Sequence, residues 1–105
     1  MAGTSLKLRL CSTRDVEVDS VIRVEAGDLT LAVYNVGGAF YATDDLCTHG
    51  PGSLSEGYLD GFEIECDFHN GKFDVRTGQV VAPPCMIPVK TYKVVVEGDE
   101  IHIEV

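Results

Sequence analysis

The 105-residue chain carries 17 acidic and 8 basic side chains, a formal net charge of −9, and is 45% hydrophobic. So acidic a balance leaves no basic surface for phosphates, and neither nucleic acid nor an anionic membrane is an expected partner. Its length suits one domain with a modest core, and its acidic surface suits solubility and would also steer association toward a basic patch on another protein.

The N-terminus, Met1 to Lys7, shows no basic region followed by an apolar run and nothing near the length of a membrane span, so a cytoplasmic protein is expected. In that compartment the four cysteines are thiols or metal ligands in preference to disulfides. Along the chain, Leu6, Leu8 and Leu10 mark one face of a first strand, with Lys7 and Arg9 on the other. Ser12 to Ser20 reads as a loop, Val21 to Val24 as a short strand, and Leu29 to Val36 as a stronger one. Gly37-Gly38 closes a tight hairpin into Ala39 to Thr43.

Glycines at 50, 52, 57 and 61 oppose regular helix, and Ser53 to Glu56 has room for one turn at most. Phe62 to Cys66, Lys72 to Val75 and Gln79 to Ala82 read as strands, with Arg76-Thr77-Gly78 as a turn. The prolines at 83, 84 and 88 cannot donate ladder hydrogen bonds, so residues 83–88 form a stiff loop. A final hairpin follows: Tyr92, Val94 and Val96 alternate along one strand, while Ile101, Ile103 and Val105 share a face opposite His102 and Glu104. About nine short strands without helical periodicity indicate an all-β sandwich or small barrel.

Two loops carry the chemistry. Cys47-Thr48-His49-Gly50-Pro51-Gly52 and Cys66-Asp67-Phe68-His69-Asn70-Gly71 each offer one soft thiolate and one imidazole, and sixteen residues separate His49 from Cys66. Two Cys and two His suit either one tetrahedral structural zinc or a 2Fe-2S cluster with two thiolates on one iron and two imidazoles on the other. Composition does not separate these. Order favours the cluster, because a zinc finger commonly pairs like ligands locally, whereas here each loop mixes them as C-x-H and C-x-x-H.

In these residues the sequence resembles the Rieske iron-sulfur proteins, whose motif is C-x-H followed, after a spacer of this length, by C-x-x-H. The proline stretch at 83–88 is similar to the loop that covers the cluster in that family, and the likeness spans nearly the whole chain. It implies a Rieske-like antiparallel β-sandwich in which residues 1–105 are a single domain. A small cluster-binding subdomain, at about 44–88, would be built from the two Cys/His loops and the proline-containing loop. One 2Fe-2S cluster is implied, with Cys47 and Cys66 holding the inner iron and His49 and His69 the outer.

High-potential Rieske members carry an extra cysteine in each loop, forming a disulfide, and a serine two residues after the second histidine. Here Gly52, Phe68 and Gly71 stand at those places. The departures imply the low end of the Rieske range, about −150 mV. The resemblance is to the small ferredoxins of bacterial aromatic-ring-hydroxylating dioxygenase systems, of biphenyl, naphthalene and carbazole types. By that likeness the chain is no enzyme: it is a free monomer carrying single electrons from an NAD(P)H-dependent flavoprotein ferredoxin reductase to a terminal oxygenase. A catalytic oxygenase would need a further iron site of two His and a carboxylate, and only His102 remains for it. Alternatives are a fixed subunit resembling the small subunit of nitrite reductase, or a zinc-bearing interaction module.

The remaining reactive side chains have plain expectations. Cys11 and Cys85 read as buried inert thiols, and His102 as a solvated histidine beside Glu104. Phe68 and Pro84 read as apolar cover, and the absent side chains of Gly50, Gly52 and Gly71 would let backbone N–H groups approach cluster sulfides.

Overall fold

Alternation along the strongest strand explains the architecture. In a computed structural model that describes residues 7–47, 52–66, 71–83 and 87–104, β3 (Leu29–Val36) buries both of its faces. Leu31 and Val33 point into one core with Leu10, Cys11, Val24, Ile101 and Ile103, while Ala32 and Tyr34 point into a second with Leu54, Ile64, Phe73 and Val75. A strand covered on both sides is necessarily a near-continuous apolar run, and Leu29 to Val36 is one.

The first core lies within a six-stranded antiparallel sheet. Its strands are β1 (Lys7–Ser12), β2 (Ser20–Ala26), β3, β4 (Ala39–Asp44), β9 (Thr91–Glu97) and β10 (Glu100–Glu104), in the order β1-β10-β9-β4-β3-β2. The sheet curls until its two edge strands, β1 and β2, approach each other. Gly37 and Gly38, both at positive φ, close the β3-β4 hairpin as the Gly-Gly pair predicts. The second core is capped by a four-stranded antiparallel sheet of β5 (Tyr58–Asp60), β6 (Glu63–Glu65), β7 (Lys72–Asp74) and β8 (Val80–Ala82). Single 3-10 turns at Thr13–Asp15 and Leu54–Glu56 are the helical structure among the described residues.

Several expectations shift in detail. Ten strands are described where about nine are expected, and the strand without a predicted counterpart is β5, which pairs fully with β6. β1 has a bulge between Arg9 and Cys11, so Leu10 and Cys11 are both buried and the simple alternation breaks there. The reading of Ser12 to Ser20 as loop gives way at both ends, because β1 and β2 claim those serines and Thr13–Asp15 folds into a capped turn. Leu6 and Val105 lie outside the described residues.

Candidate functional site

Both cysteine loops leave the body of the protein in the same way. Asp44 ends β4 and donates its N–H to Lys90 C=O at 3.0 Å, and Asp45 donates to Thr30 C=O at 3.0 Å. The outgoing chain is thereby held between the start of β3 and the segment entering β9. Leu46 pairs with Ser53 across an isolated bridge, and Cys47 N–H donates to Gly52 C=O at 2.9 Å. In the second loop Glu65 pairs with Lys72 across β6 and β7, and Cys66 N–H donates to Gly71 C=O at 2.7 Å. Each hexapeptide therefore starts with a cysteine, ends with a glycine, and is closed by the same backbone hydrogen bond.

Packing then brings the two cysteines together. Cys47 is 2% exposed and Cys66 1% exposed, and both belong to the second core with Ala32, Tyr34, Leu54, Ile64, Phe73, Val75 and Val89. Two soft sulfur donors from separate loops thus share one apolar region. His49 and His69, like Phe68, Pro84 and Cys85, lie outside the described residues. Among the described residues no further cluster of His, Cys, Asp and Glu offers a metal site.

The first loop has a second fastening that the motif does not announce. Asp45 is 4% exposed, and its carboxylate accepts from Ser53 Oγ at 2.5 Å and from Ser55 N–H at 2.8 Å, while Leu54 N–H donates to Asp45 C=O at 2.7 Å. Leu46 beside it is 65% exposed and rims an open groove of about 500 Å³. The only forewarning in the sequence is D-L-C at Asp45 to Cys47 followed by S-x-S at Ser53 to Ser55, which propensity rules read as loop polarity.

The second loop depends on close backbone approach. A side chain at Gly57 would place its Cβ 1.9 Å from Glu65 C=O, one residue before Cys66. Gly78 sits at φ +78 with a would-be Cβ 2.1 Å from Val89 C=O, and its own carbonyl accepts from Val89 N–H at 2.9 Å. Gly78 is the stitch that ties the β7-β8 turn to the chain entering β9.

Tyr34 is fully buried behind the cysteines, with its hydroxyl 2.8 Å from Thr43 Oγ1, and burial pushes its phenol well above the ordinary range. Tyr92 donates to Asp44 Oδ1 at 2.6 Å, and burial first, then that carboxylate, push it up to about 12. Both therefore stay protonated hydrogen-bond donors at neutral pH. Cys11 is buried as expected, and burial raises its thiol, so it is inert on both counts.

His102 departs from its solvated reading. β10 is last in the chain but lies between β1 and β9 in the sheet, so His102 is flanked by Arg9 and Val95. Its side chain is 18% exposed, and Nδ1 is buried without a hydrogen-bond partner, 4.0 Å from Glu97 Oε1.

The family model for the Rieske [2Fe-2S] domain matches residues 7–93. The chain belongs to that family. Its cofactor is one Rieske [2Fe-2S] cluster, and the residues present suit it: two buried thiols on similarly closed loops, each loop also carrying a histidine in sequence. The Rieske chain is 49% identical over 98 residues to the ferredoxin component of the p-cumate 2,3-dioxygenase system of Pseudomonas putida, covering 91% of this chain and 83% of the relative. Among solved structures, the Sphingomonas yanoikuyae B1 ferredoxin superposes with a TM-score of 0.91 at 46% identity, covering 95% of this chain and 99% of that one. A complex of reduced oxygenase and oxidized ferredoxin in carbazole 1,9a-dioxygenase contains a chain that matches at TM-score 0.89 and 44% identity, covering 96% of this chain and 94% of that chain. No described helix is long and apolar enough to cross a membrane.

Proposed function

We propose that this Rieske protein is a soluble cytoplasmic one-electron carrier that takes electrons from an NAD(P)H-dependent flavoprotein reductase and delivers them to a terminal aromatic-ring-hydroxylating oxygenase. One observation carries the proposal: two identically closed Cys–Gly hexapeptides present Cys47 and Cys66 to a single buried apolar region. Cys47 and Cys66 would hold the cluster through two thiolates, and His49 and His69 through two imidazoles. Residues 1–105 act as a single domain with its cluster-binding part at about 44–88, and the protein works as a free monomer.

When bound, the cluster accepts and returns one electron without making or breaking a bond to substrate. The protein's part is to hold the ligands still. Backbone closure at Gly52 and Gly71 fixes where each loop begins and ends. Apolar neighbours such as Ile64, Phe73 and Val89 keep water from the thiolate side. Likeness to ferredoxin components of dioxygenase systems supports the direction of electron flow, and the net charge of −9 supports a partner with a basic docking surface.

The test is the purified protein's own spectrum, followed by reconstitution. A red-brown protein with a rhombic electron-paramagnetic signal after dithionite, eluting as a monomer and sustaining turnover of an aromatic-ring oxygenase with a flavoprotein reductase, is expected. A colourless protein with stoichiometric zinc would end the redox reading. Stable co-purification with a large reductase would replace the carrier by a fixed subunit.

A further inference from the structure

We infer that Asp45 is a tuning residue for the cluster: a buried, uncompensated carboxylate beside Cys47 that holds the reduction potential down. The inference rests on Cys47 being a cluster ligand, as proposed above. Asp45 is 4% exposed, and no Lys, Arg or His forms an ion pair with it among the described residues. Arg23, which lines the same groove, pairs instead with Glu25 at 3.1 Å. The Asp45 carboxylate is held by Ser53 Oγ at 2.5 Å and by Ser55 N–H at 2.8 Å, so neutral donors keep it in place and offset its charge only in part.

Its position makes that charge count. Asp45 and Cys47 are two residues apart on either side of the bridged Leu46, so their Cα atoms lie no more than about 7 Å from each other. Although Asp45 borders the groove, its low exposure limits screening by water and salt. A fixed negative charge at that range disfavours adding an electron to the cluster. At the base of the second loop Glu65 stands opposite Lys72 in the strand register, a carboxylate across from a cation.

Two variants separate charge from scaffolding, because they push the potential in opposite directions. Asp45→Asn removes the charge, keeps the side chain's shape, and retains an oxygen to accept from Ser55 N–H. It is expected to raise the reduced-to-oxidised ratio at fixed ambient potential about tenfold, which is ~59 mV for a one-electron couple. Ser53→Ala leaves the carboxylate in place with one donor fewer and is expected to lower the potential by a smaller amount. Glu56→Gln, an exposed site just beyond Ser55, serves as the control and is expected to change it little.

The readout is a redox titration followed by the rhombic signal, with the visible spectrum of each variant recorded to verify loading. Shifts of opposite sign in Asp45→Asn and Ser53→Ala support the inference. Shifts of the same sign, or a loaded Asp45→Asn with wild-type potential, overturn it and leave Asp45 as a structural clamp. If Asp45→Asn does not load, Ser53→Ala decides: a lowered potential supports the inference, and an unchanged or raised one overturns it. Absence of a rhombic signal in the wild-type protein would instead strike the ligand reading itself.

Discussion

Replacing a neutral ligand by an anionic one tests the donor set at the level of a single atom. In His69→Cys a thiolate stands where an imidazole is proposed, adding a negative charge to the site. Clusters with four thiolates lie some hundreds of millivolts below mixed ones, so one exchange is expected to lower the potential by roughly 100 mV where the variant loads. A redox titration showing no fall would remove His69 from the ligand set. Residue identity made the two Cys-His loops legible without any structure, since thiolate and imidazole have few other reasons to recur in matched loops. Asp45 and His102 were not legible in the same way. Their environments are set by the Ser53 and Ser55 hydroxyl and amide at one site and by strand order at the other, and neither follows from local spacing.

The second loop is delivered by short strands whose geometry tolerates little. Gly57→Ala places a methyl group against Glu65 C=O, and relief of that overlap requires β5 and β6 to move apart. The expected cost is about 1–3 kcal/mol, read as a lower urea midpoint with unchanged slope. At the far end of the same sheet Arg76 grips Asp74 with Nε at 3.1 Å and Nη2 at 2.8 Å, and lies 4.0 Å above the ring of Phe62, which meets Tyr41 edge-on. The guanidinium hydrogen bonds hold the Asp74 carboxyl below its usual range. A depressed carboxylate stabilises the fold above its unfolded pKa, and that contribution is lost as pH falls through the lower folded value. Arg76→Met should therefore melt earlier than the wild type at pH 6, with the gap closing toward pH 2. A constant gap across that range would assign the loss to packing on Phe62. Hairpins with Gly-Gly or alternating β-branched residues were readable in advance, whereas β5 was not. Tyr58–Asp60 is three residues long and outwardly polar, and its strand character comes from pairing with β6 instead of its own pattern.

At the scale of the molecule, charge governs encounters. With a net charge of −9, the bimolecular rate of electron transfer to a basic partner should fall as ionic strength rises from about 0.01 to 0.15 M, as the Debye length contracts from ~30 to ~8 Å. A stopped-flow series with a flat or rising salt dependence would show that apolar contact, not long-range attraction, limits docking. The fold class was legible because nine of the ten described strands, with their turns, leave a readable trace. A sandwich with a separate cluster-binding part was expected from the family resemblance, whereas local periodicity did not show that β3 would be the wall between the two cores, since that depends on which residues meet across it. The shared wall also bears on how long the protein lasts in a cell. β3 is hydrogen-bonded on both edges and covered on both faces, so neither sheet can open alone without stripping one side of it. Opening either core to a protease therefore requires undoing β3, and the lifetime of the two cores is tied to that central strand.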